Sequence, residues 1–221
     1  MTPSAADPNS IRLVSQAFPW PPGTPPGRPS GPPLPPPGRP GTGPSPWPGR
    51  VYERLFEQRI VMAHGQLDGE AATSLCAQLL TLDAERNEPI RLELQGLTAG
   101  LDDALTVMGV LDVLRVPLRA YAGGRIEGPA LGVLAAAPQR HAYPNAVFVL
   151  SEPRLDFEGT ATELASHEGK VASQLDALYV RLADATGHEV DEIRADARRG
   201  RYLTADEAVA YGLVHEQASS G

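Results

Sequence analysis

The chain has 221 residues and a formal net charge of −8; Arg12, Arg28, Arg39 and Arg50 against Asp7 give residues 1–50 a charge of +3, which leaves −11 for the remainder. So acidic a body repels phosphate backbones and argues against nucleic acid as a partner. The single cysteine, Cys76, excludes an internal disulfide framework and a cysteine-based zinc site.

The start, Met1-Thr-Pro-Ser-Ala-Ala-Asp-Pro, has neither the basic nor the apolar region of a secretory signal. No apolar run approaches the ~18–20 residues that span a bilayer, so the chain is expected to be soluble and cytoplasmic, with no membrane partner. From Pro19 to Gly49, 22 of 31 residues are Pro or Gly. Such a stretch buries too little apolar surface to offset its ordering entropy, and residues 1–50 are read as a disordered or polyproline II arm. Residues 51–216 are read as one domain, and 217–221 as a tail.

After Arg50 the periodicity alternates. Val51–Gln58 has helical spacing, and Ile60-Val-Met62 reads as a short strand before Gly65. Gly69–Glu85 places Ala72, Leu75, Cys76, Leu79 and Leu80 at helical spacing, so Cys76 is expected in the core. Ile90–Gln95 alternates as a strand does. Leu101–Leu114 is helical, with Leu101, Ala104, Leu105, Met108 and Leu111 on one face. Leu118–Ala122 is a strand that ends at Gly123-Gly124. Pro129–Ala137 is apolar all round, which predicts a buried helix opened by proline, and Ala146–Leu150 predicts a buried strand. Thr162–Ala185 is a long helix with a stripe of Leu164, Val171, Leu175, Leu178 and Leu182. A last helix opens on Thr204 and Glu207, at capping-box spacing, and stops at Gly212. The alternation indicates an α/β domain.

Two segments carry a resemblance. The closing run Arg201-Tyr-Leu-Thr-Ala-Asp-Glu-Ala-Val-Ala-Tyr-Gly-Leu-Val214 resembles the end of the Clp protease proteolytic subunit. The opening run Glu53-Arg-Leu-Phe-Glu-Gln-Arg-Ile-Val61, with Gly65 and Ala77-Gln-Leu-Leu-Thr-Leu82, resembles its beginning. The resemblance implies a ClpP-like, crotonase-type spiral of strand–strand–helix units with a projecting handle. Thr162–Ala185 would build the handle, and Gly159 falls in the glycine-containing strand before it.

That family cuts peptides with a Ser-His-Asp triad, and the matching positions here hold none of the three. The nucleophile's motif, Gly-x-Ala-Ala-Ser-Met, aligns with Gly124-Arg-Ile-Glu-Gly128-Pro129. From Val107 to Leu150 there is no Ser, Thr or Cys, so no local slip supplies a nucleophile. Ser151 stands at the histidine position, and a hydroxyl is no base near neutral pH. The acid position is Gly200, while Asp196 matches an earlier acid of the same motif. One oxyanion donor would be the N–H of Pro129, which has none. The other would come from a glycine turn that here reads Gly96-Leu-Thr-Ala99. No catalytic residue, cofactor or metal is therefore assigned. His141 is expected at the surface, and His167 lies in the long helix. Ser166 and Lys170 have the spacing of a dyad, and a solvated helix face explains them better. Asp102, Asp103 and Glu127 could bind a cation in the vacated site, although acids at helix starts usually serve as dipole partners.

The resemblance implies seven-membered rings stacked through their handles. The stripe on Thr162–Ala185 suits stacking, or packing on its own domain. A Pro-rich arm replaces the apolar hairpin that would meet an AAA+ unfoldase, which argues against such docking. Pro32–Pro37 could instead serve as a ligand for an SH3- or WW-type groove. The expected function is a non-catalytic structural or regulatory subunit, in rings of itself or mixed with a catalytic paralogue. An active serine peptidase with a relocated site, and a crotonase-like binder of a small acyl ligand, are the alternatives.

Overall fold

The computed structural model describes residues 49–153 and 161–218, with the side chains of residues 49–50 and 161–167 excepted. The Pro-rich segment up to residue 48, and Gly159, lie outside the described residues. The chain divides into Met1–Pro44 and Ser45–Gly221, and the second unit contains all the elements that follow. They are α1 (Gly49–Glu57), β1 (Ile60–Leu67), α2 (Gly69–Glu85), β2 (Ile90–Ala99), α3 (Leu101–Val113), β3 (Leu118–Gly123), β4 (Arg125–Glu127), α4 (Ala130–Ala135), β5 (Gln139–Ala142), β6 (Val147–Leu150), α5 (Ala161–Thr186), α6 (Val190–Arg199), β7 (Arg201–Thr204), α7 (Ala205–Ala210) and β8 (Glu216–Gln217).

Side-chain caps account for the starts of α2 and α7. The Asp68 carboxylate accepts the Ala71 N–H at 3.0 Å and starts α2. Thr204 and Glu207 form a reciprocal capping box that starts α7. Inside α2 the buried stripe is Ala72, Leu75, Cys76, Leu79 and Leu82. Leu80, expected on that stripe, is 45% exposed; it sits one residue, about 100° of helix rotation, from Leu79.

The strands form one sheet in the order β7-β6-β4-β2-β3-β5-β8, with β1 paired to β2. Every pair is parallel except β6 with β7. β1 follows β2 from Arg91 to Ala99, with a bulge between His64 and Gly65. β3 and β4 therefore share the other side of β2. They are a single run kinked at Gly124, which has a φ of +65°. A Cβ there would lie 3.1 Å from the Gly96 nitrogen, so only glycine lets the two backbones approach. The strand expected to end at Gly123-Gly124 thus bends there and continues. β5, β7, β8 and helix α6 had no clear periodic signal, and β8 carries Gln217 into the sheet, one residue past the expected domain end.

Leu92, Leu94, Leu97, Ile126, Phe148, Leu131 and Leu134 are fully buried in one core shared by the sheet and its helices. The apolar stripe of α5 joins this core: Leu178 and Leu182 are buried, and Val171 and Leu175 pack against the same cluster. From Val171 onward the stripe is therefore used within its own domain.

Arg140, only 7% exposed, is held by carbonyls alone. Its guanidinium donates to Leu213 O at 2.8 Å, Ala185 O at 2.9 Å, Ala137 O at 3.1 Å and Gly212 O at 3.3 Å. It joins the C-terminal ends of α4, α5 and α7, where carbonyls lack helical partners. Its neighbour His141 is not the surface residue expected. It stacks on Tyr121 at 4.7 Å, its Nδ1 lies 3.3 Å from Glu216, and its side chain is 15% exposed.

Candidate functional site

Three parallel strands end at one place. β2 ends at Ala99, β4 at Glu127 and β6 at Leu150. The residues that follow, Gly100, Gly128, Pro129 and Ser151, line a cleft of about 940 Å³ together with Gly200 from the α6–β7 turn. Ligands of open α/β sheets commonly bind beyond the carboxyl ends of strands, as this cleft would allow.

Gly128 joins β4 to α4 with a φ of +59°. Its N–H donates to Val149 O at 3.0 Å, which pins it beside the end of β6. A Cβ on Gly128 would lie 3.3 Å from Ser151 Oγ. Pro129 follows as the first residue of the turn into α4, with φ −59°, and presents no N–H to the cleft. β7 pairs antiparallel with β6, with Leu150 opposite Arg201, and this brings Gly200 next to Ser151. Gly200 ends α6 in the left-handed region, and no atom lies within 4 Å of the place a Cβ would take. The structure thus gathers Gly128, Ser151, Gly200 and Pro129, spread over 73 positions of the chain, around a single cavity.

The remaining wall carries charge. Arg125 pairs with Glu127 at 2.8 Å, and Arg198 with Glu152 at 3.4 Å. Arg125 also lies over the Tyr202 ring, 5.4 Å from its centroid. Thr98 donates its hydroxyl to Gln66 Oε1 at 2.7 Å. In the stretch that would supply a glycine turn, Thr98 and Ala99 are strand residues that line the cavity. Among the described residues, those that line the cleft include no His, Lys, Cys or Asp.

The other residues singled out in the sequence are elsewhere. Asp196 is buried, and its carboxylate accepts Arg201 Nη1 at 2.8 Å and Tyr211 Oη at 2.9 Å. Burial alone would raise its pKa, but these hydrogen bonds and the Arg201 charge outweigh burial and hold it below the usual carboxylate range. Asp102 accepts Gln174 of α5. Asp103 is pushed up by burial, then by the charges of Asp102 and Asp68. Of the three acids considered for a cation, only Glu127 lines the cleft. Among the described residues no group of three or more His, Cys, Asp or Glu could hold a metal ion. Lys170 is an exposed residue of α5, and the side chains of Ser166 and His167 lie outside the described residues. The cationic wall of Arg125, Arg198 and Arg199 had no prior assignment; the run Arg198-Arg199-Gly200-Arg201 was its only trace in the sequence.

Fold and cleft together define an α/β protein with a pocket at the carboxyl ends of its parallel strands. A family model described as Clp protease matches residues 48–220, and the chain belongs to the Clp protease family. Its curled sheet with helices against it is the ClpP-like fold. Among the described residues no helix is long and apolar enough to cross a membrane.

Proposed function

We propose that this chain is a non-catalytic member of its family, a structural or regulatory subunit that assembles with itself or with a catalytic paralogue. One observation carries the reading. Gly128, Ser151 and Gly200 line one cleft, and between them they offer one hydroxyl, no base and no acid. Acyl transfer requires a nucleophile in contact with a base, and donors aimed at the oxyanion. Ser151 is the hydroxyl nearest Gly128, no imidazole or amine lines the cavity among the described residues, and Pro129 removes a backbone donor. A domain that keeps its core while its cleft lacks this chemistry acts through its surfaces.

The test is the native mass of the purified chain, alone and mixed with a catalytic Clp subunit from the same cell, with peptide hydrolysis followed in the same samples. Ring-sized or mixed assemblies, with no hydrolysis by this chain alone, are expected. A monomer that ignores the paralogue overturns the subunit role. Hydrolysis by this chain alone, or covalent labelling of it by a serine-directed probe, overturns the non-catalytic one.

A further inference from the structure

The C-terminal strand lies at the far edge of the sheet, away from the cleft. β8 has two residues, Glu216 and Gln217, and stands last in a strand order that begins with β7. Its backbone meets β5 through His215 N–H to Arg140 O at 2.9 Å and Ala218 N–H to Ala142 O at 2.8 Å. So short a strand has few such bonds, and a side chain supplies another. The Arg140 backbone N–H, on the β8 side of β5, donates to Nδ1 of His215 at 3.0 Å. That bond requires one protonation state. Nδ1 accepts only while the ring is neutral, because both nitrogens of an imidazolium are donors. His215 as a residue is exposed, so a proton reaches the ring from solvent.

We propose that His215 is an acid-sensitive latch for this strand: its neutral ring holds β8 on β5, and protonation releases β8 and bares the edge of β5. The groups around His215 set the direction. Arg140 of β5, whose guanidinium is buried among carbonyls, repels a second cation; a charged His141 of β5 does the same, and Glu216 of β8 favours the charged ring. From α7, Asp206 meets β8 by accepting Gln217. Burial, and then the Arg140 charge, hold the His215 pKa below its ordinary value. A base with a depressed folded pKa stabilises the fold in full above the unfolded pKa, near 6.5, and that contribution is lost as the pH falls through the lower folded value. His141 acts in the opposite sense, since a charged His141 strengthens its contact with Glu216, 3.3 Å away. The bared backbone groups of β5 then form an open sheet edge, a template for pairing with another strand.

The experiment follows amide protection factors of the full chain by NMR at about pH 7.5 and about pH 5, on either side of the ordinary histidine pKa, with exchange rates corrected for their intrinsic pH dependence. The amides of Arg140, His215 and Ala218 are expected to lose about fivefold or more of their protection at the lower pH. The Gly128 amide, bonded to Val149 O, is expected to keep its protection and so to exclude global unfolding. His215→Asn sets a carbonyl oxygen near the position of Nδ1 without a titrating ring, and is expected to abolish the pH dependence. His141→Gln is expected to retain it. Equal protection of the parent at both pH values overturns the proposal. So does an acid loss that persists in His215→Asn or vanishes in His141→Gln, or a Gly128 amide that loses protection to the same extent.

Discussion

Gly128 and Ser151 stand so close at the ends of β4 and β6 that a Cβ on the glycine would touch the serine hydroxyl, at 3.3 Å. The contact places the start of α4 against the end of β6, although the two positions are 23 residues apart and neither carries a charge. Gly200 completes the group from a turn 49 residues later. The three positions therefore share one cleft, and a triad built at them is a testable consequence of the proposed reading.

Rebuilding the side chains tests this. Gly128→Ser, Ser151→His and Gly200→Asp together are expected to give slow covalent labelling by a serine-directed probe, absent in the parent. Serine at the positive φ of position 128 costs about 1–2 kcal/mol, which a stable domain tolerates. Adding Pro129→Ala restores a backbone donor and is expected to raise the labelling rate by ~10²–10³. A folded triple variant that labels no faster than the parent would show that the three positions do not form a triad frame.

Arg140 is the second point of leverage. Arg140→Met strips the donors from four carbonyls at the ends of α4, α5 and α7. The expected loss is about 3–5 kcal/mol in urea unfolding, since buried acceptors are left without partners. Arg140→Lys is expected to recover little, because one ammonium cannot span acceptors set out for a planar fork.

Asp196 ties stability to pH. Its pKa is held below the unfolded value, so its contribution is full above the unfolded pKa, near 4, and is lost as pH falls through the lower folded value. The urea midpoint of the parent is expected to drop on acidification below about pH 5. Asp196→Asn should be less stable at neutral pH and should show a shallower drop.

Gly132 lets α4 pack closely against Leu178 of α5 and Met108 of α3. A Cβ there would lie 2.5 Å from Leu178 Cδ1 and 2.7 Å from Met108 Sδ. Gly132→Ala is expected to cost about 1–3 kcal/mol by overpacking. Leu178→Ala alone leaves a cavity, at about 2–5 kcal/mol. The double variant should be more stable than the two losses added together, and strict additivity would argue against the contact.

Helices α2, α3 and α5 were legible because each carries a long apolar stripe at a period of 3.6, and α7 because Thr204 and Glu207 spell out its cap. β5, β7 and β8 were not, since strands of two to four residues are too short for any period to repeat. Leu80 and His141 were misplaced for a related reason. Spacing shows which face of an element a residue occupies, but not what covers that face.

The sequence by itself determined the alternating α/β order, the family, the acidic charge and the absence of a nucleophile from Val107 to Leu150. These are properties of residue type and local spacing. Only the tertiary structure decided that Gly128, Pro129, Ser151 and Gly200 share one cavity, that Arg125, Arg198 and Arg199 line it too, and that the α5 stripe beyond Val171 packs inward. Parallel strands joined through helices bring together residues far apart in the chain, and no local pattern records which strand ends will meet.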